Sequence, residues 1–124
     1  MKDTILKAKS EGRTALIPFL TAGFPTMERF WDVLAEVDAA GADIIELGIP
    51  FSDPVADGPV IEAASRKALA AGVTLQWVMD GLRARKGAFH AKIVLMGYTN
   101  PFMQYGLEKL AADCVEVGVS GFIV

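Results

Sequence analysis

Cysteine and histidine are nearly absent from this 124-residue chain: there is one of each, Cys114 and His90. A lone cysteine forms no internal disulfide and lacks the companions of a zinc site, and a lone histidine rules out a histidine-rich metal centre. Excess charge of one sign is missing too. The formal net charge is −3, with acids and bases mixed along the chain, and the sequence pI is about 5.1. That leaves no basic footprint for nucleic acid. No apolar run approaches the roughly 18 residues of a membrane span. No glycine pattern matches a dinucleotide fingerprint or a phosphate-cradling loop. What the chain does have is apolar content, 52% hydrophobic against 22% charged residues. Its mean hydropathy of +0.37 is too high for a disordered chain. The length suits one domain, and is also about half of the roughly 250 residues of a complete eight-stranded β/α barrel.

Met1 to Arg13 carries lysines and precedes the apolar stretch Ala15 to Phe19, loosely like a secretory leader. Asp3 and Glu11 sit in the would-be basic region, Pro18 interrupts the short apolar run, and no small-residue cleavage pattern follows. The expectation is a soluble, cytoplasmic protein without nucleic-acid or membrane partners.

Strand and helix signals alternate. Thr14 to Ala22 (TALIPFLTA) is an apolar run closed by Gly23 and Pro25, a buried strand weakened by Pro18. Thr26 can cap a helix over Met27 to Ala40, where Met27, Phe30, Trp31, Leu34 and Val37 recur at helical spacing and Gly41 suits the C′ position. Asp43 to Ile49 (DIIELGI) reads as a second strand. After the polar loop Phe51 to Gly58, Pro59 opens a helix to Ala71, and Thr74 caps another over Leu75 to Arg85. Lys92 to Tyr98 (KIVLMGY) is a third strand, Leu107 to Val117 a helix ending at Gly118, and Gly121 to Val124 a fourth strand or its start. A faint repeat links Ala39 to Glu46 with Val117 to Val124, each passing from a helix end through glycine into an apolar strand. Continuously apolar strands separated by helices predict an α/β fold with a parallel sheet. Periodicity alone does not separate an open sheet from part of a closed barrel.

Glu46 is the most informative residue for chemistry. Its neighbours Ile45 and Leu47 should face the helices, so alternation points Glu46 to the opposite face with Ile44 and Gly48. A carboxylate there is costly unless paired, solvated in a pocket or neutralised. Acids near the C-terminal ends of parallel strands are where such folds keep catalytic groups. A glutamate pairing with lysine, or capping backbone groups, is the plainer alternative. Asp53 and Asp57 belong to ordinary turn signals, Asp53-Pro54 and Asp57-Gly58, and Asp57 could simply start the helix at Pro59. Its place in a long loop directly after the strand holding Glu46 also makes it a partner for divided carboxylate roles. His90 should lie at the opposite end of the sheet. Cys114 reads as a packed thiol, and Tyr98 and Asn100 as loop residues at the mouth.

Three segments carry a resemblance: Ile17 to Pro25 (IPFLTAGFP), Gly41 to Pro59 (GADIIELGIPFSDPVADGP) and Leu95 to Pro101 (LMGYTNP). Together they closely resemble the tryptophan synthase alpha-subunit family, in order and over essentially the whole chain. The resemblance implies the first four β/α units of a TIM (β/α)8 barrel, residues 1–124 forming an N-terminal half that ends within strand four. It implies a lyase of tryptophan biosynthesis that cleaves indole-3-glycerol phosphate to indole and glyceraldehyde 3-phosphate by a retro-aldol reaction. It further implies no cofactor and no metal in this chain, the pyridoxal phosphate belonging to a partner beta subunit. Glu46 and Asp57 match the family's catalytic glutamate and aspartate. Phe19, Met96 and Tyr98 match its indole pocket, and Asp53, Pro54 and Asn100 the surface facing the beta subunit.

The departure from the family is the phosphate site, which such barrels build after strands seven and eight. The expectation is therefore a fragment with little activity alone. The rival expectation is a non-catalytic half-barrel that associates with itself through exposed sheet edges. A different phosphate-handling aldolase barrel would lack the Glu46 and Asp57 pair in this loop context.

Overall fold

The computed structural model describes all residues from Met1 to Val124. A four-stranded parallel sheet in the order β1-β2-β3-β4 organises it. Its strands are β1 (Phe19–Thr21), β2 (Ile44–Gly48), β3 (Lys92–Met96) and β4 (Gly121–Ile123). The helices are α1 (Lys2–Ser10), α2 (Met27–Ala39), α3 (Pro59–Ala70), α4 (Leu75–Ala84), α5 (Thr99–Tyr105) and α6 (Leu107–Val117). This is the α/β fold with a parallel sheet that the alternating signals predicted, and its sequential strand order fits the half-barrel that the resemblance implies. No helix is long and apolar enough to cross a membrane.

The register follows from side-chain alternation along β2. Ile45 and Leu47 are fully buried in the core shared with the helices, beside Ile93 and Leu95 of β3. Ile44, Glu46 and Gly48 are therefore turned to the inner face, where Glu46 stands level with Phe19 on β1 and Val94 on β3. A one-residue slip would exchange the two faces, so burial of the apolar set specifies the pairing.

Local rules account for most boundaries. The side-chain oxygens of Thr26 and Thr74 accept the N–H groups of Arg29 and Trp77, each capping its helix. The helix expected to begin at Pro59 does so, with Gly58 as its N-cap; Asp57 stands one residue outside and makes no capping bond. The first strand is shorter than the apolar run Thr14 to Ala22. Only Phe19–Thr21 lie in the ladder, but the Leu16 and Pro18 carbonyls still accept from Asp43, Ile44 and Glu46. Pro18 is accommodated because it contributes its carbonyl and needs no N–H there. Helices α1 and α5 have no counterpart among the sequence-predicted elements. The periodicity of α1 is faint, with Ala8 its one buried residue. In α5 the proline, Pro101, lies within the first turn, where a missing N–H leaves no bond unmade. Asn100 accordingly belongs to a helix rather than a loop.

Outside the sheet, Phe30, Trp31 and Trp77 pack with ring centroids 4.9 to 5.9 Å apart. The Trp31 ring lies against Gly81, where a Cβ would collide with it. Cys114 is buried as a packed thiol, and burial pushes its pKa up to about 11.

Two carboxylates fasten the N-terminal end of the sheet. The Asp38 carboxylate on α2 is buried. It accepts the N–H of Ala91 at 2.7 Å and that of His90 at 3.0 Å, and lies 3.2 Å from His90 Nδ1. Burial alone would raise its pKa, but these donors outweigh it and hold the carboxyl below its usual range. His90 thus lies at this end as expected, its ring exposed and its backbone anchored. Arg13 grips Asp43 with two bonds of 2.7 and 2.8 Å, and Leu16 N–H adds a third to the same carboxylate. The Arg13 bonds, with that of Leu16, push the Asp43 pKa down to about 2.

Two outcomes are expected. Asp38→Ala strips one buried and one part-buried backbone N–H group of a charged acceptor and should cost about 2–3 kcal/mol, read from urea unfolding. Asp43, with its folded pKa depressed, contributes stability that is complete above the unfolded value of about 3.9. That contribution is lost as pH falls through about 2. Asp43→Asn should therefore flatten the decline in stability across that window, measured by thermal melts at stepped pH.

Candidate active site

All four strands end at one cavity of about 320 Å³. Thr21, Gly48, Met96 and Ile123, the terminal residues of β1 to β4, line it. This is the C-terminal end of the strands, where barrels of this architecture carry their chemistry. The size and largely apolar wall suit a small aromatic ligand.

Of the residues singled out in the sequence, Phe19, Asp57, Met96 and Tyr98 meet at this cavity. Phe19 projects from the start of β1, and its ring lies across Gly48, where a Cβ would overlap the ring atoms. Glycine at position 48 is thus a condition for the Phe19 ring to occupy this place. Met96 comes from the end of β3, and Tyr98 follows two residues later. Glu46 occupies the same inner face one step deeper, beside Phe19, and does not itself line the cavity. It is half-buried and takes part in none of the chain's ion pairs. The alternative of a glutamate neutralised by lysine is therefore not what the structure shows.

Asp57 is carried by the loop between β2 and α3. That loop turns through internal bonds, Val55 N–H to Asp53 O at 2.9 Å and Asp57 N–H to Pro54 O at 3.1 Å. Asp53 is exposed and accepts from the Ser52 hydroxyl at 2.7 Å. Asn100 is exposed in the first turn of α5, and Pro54 is half-buried. These three stay on the surface at the cavity end of the sheet rather than inside the cavity.

Several lining residues were not anticipated. Ile61 and Ser65 reach the cavity from α3, one helical turn apart, and Ser65 is nearly fully buried. A serine four residues from an isoleucine in an alanine-rich helix is the only local trace of that placement. Thr21 and Ile123 enter through strand alternation, once the direction of each strand's inner face is known. Gly48→Ala should push the Phe19 ring into the cavity and destabilise the chain by about 1–3 kcal/mol through overpacking. A crystal structure of the variant and its urea midpoint check both effects.

Comparison with known proteins matches this geometry to one family. The family model described as tryptophan synthase alpha chain matches residues 5–124. The tryptophan synthase alpha chain of Nitratidesulfovibrio vulgaris strain Hildenborough is 67% identical over 120 residues, covering 97% of this chain and 47% of that protein. The alpha chain of Desulfovibrio desulfuricans is 60% identical over 124 residues, covering 100% and 49% respectively. Among solved structures, tryptophan synthase subunit alpha from Legionella pneumophila superposes with a TM-score of 0.92 at 40% identity, over 99% of this chain and 47% of that one. The chain thus spans about half the length of the relatives it matches. In sequence and in fold, it belongs to the tryptophan synthase alpha chain family.

Proposed function

We propose that these residues supply the acid–base half of a site that cleaves indole-3-glycerol phosphate into indole and glyceraldehyde 3-phosphate. The observation that supports it best is the convergence of Phe19, Met96, Tyr98 and Asp57 on one ring-sized cavity, with Glu46 beside Phe19 on the same face. The retro-aldol step places a proton on indole C3, removes one from the side-chain hydroxyl, and breaks the carbon–carbon bond between them. Glu46 acts as general acid and then base on the barrel wall. Protonation at C3 leaves positive charge on the ring, which the Asp57 carboxylate stabilises beside the indole N–H. Phe19, Met96 and Tyr98 hold the ring.

Such chemistry asks for no metal and no cofactor in this chain; pyridoxal phosphate belongs to the beta subunit. Asp53, Pro54 and Asn100 form the contact surface for that subunit. Asp53 and Pro54 belong to the loop that carries Asp57, which lets partner binding and substrate state influence each other. Phosphate is held by loops after later strands of a complete barrel. The reading includes a cytoplasmic location.

The test joins Met1–Val124 to the remaining half of the 67% identical relative and assays indole release. The joined chain should release indole, and Glu46→Gln should lower kcat by roughly 10²–10⁴-fold. The 124-residue chain alone should release little or none. A folded joined chain without activity would overturn the functional reading. Release by the short chain at the intact rate, abolished by Glu46→Gln, would overturn the half-site reading.

A further inference from the structure

Tyr98 does more in this structure than face the cavity. It stands just beyond the end of β3 and serves as the N-cap residue of α5, so rigid elements set its backbone on both sides. Its hydroxyl oxygen accepts the N–H of Ala56 at 2.9 Å. Ala56 immediately precedes Asp57. The Tyr98 ring also packs against Phe51, with centroids 5.2 Å apart and planes inclined by 32°. One side chain therefore holds the Phe51–Gly58 loop at its entry and close to its exit.

The loop has few other attachments. Its remaining hydrogen bonds are internal, Ser52 to Asp53, Val55 to Asp53 and Asp57 to Pro54, until the Gly58 carbonyl enters α3. Val55 is 92% exposed, so no apolar packing pins the tip. Between Phe51 and Asp57, the Ala56–Tyr98 bond is the one hydrogen bond that reaches another element of the fold. An aspartate placed by such a loop owes its location to that anchor, since internal turn bonds fix the shape of the loop and not its distance from the sheet.

We propose that Tyr98 is a positioning residue, whose hydroxyl holds the Ala56–Asp57 backbone so that the Asp57 carboxylate stays at the mouth of the cavity. This rests on the reading of Asp57 as the charge that stabilises the ring cation. The inference separates two duties of one side chain. The ring shapes the ligand pocket, and the oxygen orders the loop.

Tyr98→Phe removes the oxygen while keeping the ring and its contact with Phe51. Amide hydrogen exchange, followed by NMR on both the 124-residue chain and the joined full-length chain, reads the anchor directly. The Ala56 amide should exchange roughly tenfold faster in the variant, while Ile45 and Leu95 in the sheet keep their protection and report an intact fold. Unchanged Ala56 protection would overturn the proposal, whatever the chain's activity.

Kinetics on the joined chain test the consequence. Tyr98→Phe should lower kcat roughly 10- to 100-fold with little change in KM, because misplacement of a charge by about 1 Å is that costly. In an Asp57→Asn background the same substitution should add almost nothing. Full additivity of the two would show that the hydroxyl acts elsewhere than through Asp57 and would also overturn it. Faster Ala56 exchange in a joined chain that never releases indole leaves the anchor standing and removes only the catalytic reading.

Discussion

The burial of Ile45 and Leu47 against the helix layer is the constraint on which the remaining geometry depends. Both are removed from water, and together they contribute roughly 3–6 kcal/mol relative to exposure. A strand offers its side chains to two faces alternately, so committing these two outward commits Ile44, Glu46 and Gly48 inward. The neighbours then have no freedom of register. Phe19 comes to stand beside Glu46, Val94 takes the other side, and Met96 is brought level with Gly48 at the rim. A carboxylate on the inner face is thus a by-product of apolar packing on the outer one.

The two ends of the sheet divide stability from chemistry. At the N-terminal end, Asp38 fastens α2 to the start of β3, and Arg13 with Asp43 fastens the segment after α1 to β2. These carboxylates are saturated with donors, which is why their pKa values are lowered and why they have nothing left to offer a ligand. At the C-terminal end, Glu46 and Asp57 form no ion pair within the chain. Acidic groups at one end are consumed by the fold, and those at the other are left available. The same residue type acquires opposite uses from its place along the strand direction.

Much of this was legible in the order of residues. Threonine caps at Thr26 and Thr74, proline at Pro59 and glycine stops at Gly41 and Gly118 are local signals, and the elements they bound agree with expectation to within a residue or two. The inward turn of Glu46 was legible as well, since it needs only a strand with apolar neighbours. What escaped had weak or misleading local signals. Helix α1 has few apolar residues, of which only Ala8 is buried, and α5 contains a proline whose first-turn position makes it harmless. The lining role of Ile61 and Ser65 depends on how α3 lies over β1, and their spacing within α3 leaves only a faint trace of it.

By itself, the sequence determined the alternation of strands and helices, the parallel sheet, and which face of β2 carries the acid. Each of these follows from short-range periodicity and the steric habits of glycine, proline and threonine. Its motifs also placed the chain in its family. Only the tertiary structure decided that the Phe19 ring abuts Gly48 and that Asp57 reaches the cavity while Glu46 sits one step deeper. It alone showed that Tyr98 ties the Asp57 loop to the start of α5. Those relations join residues 29 to 42 positions apart, and contacts of that kind exist only once the helices have packed and the register is set.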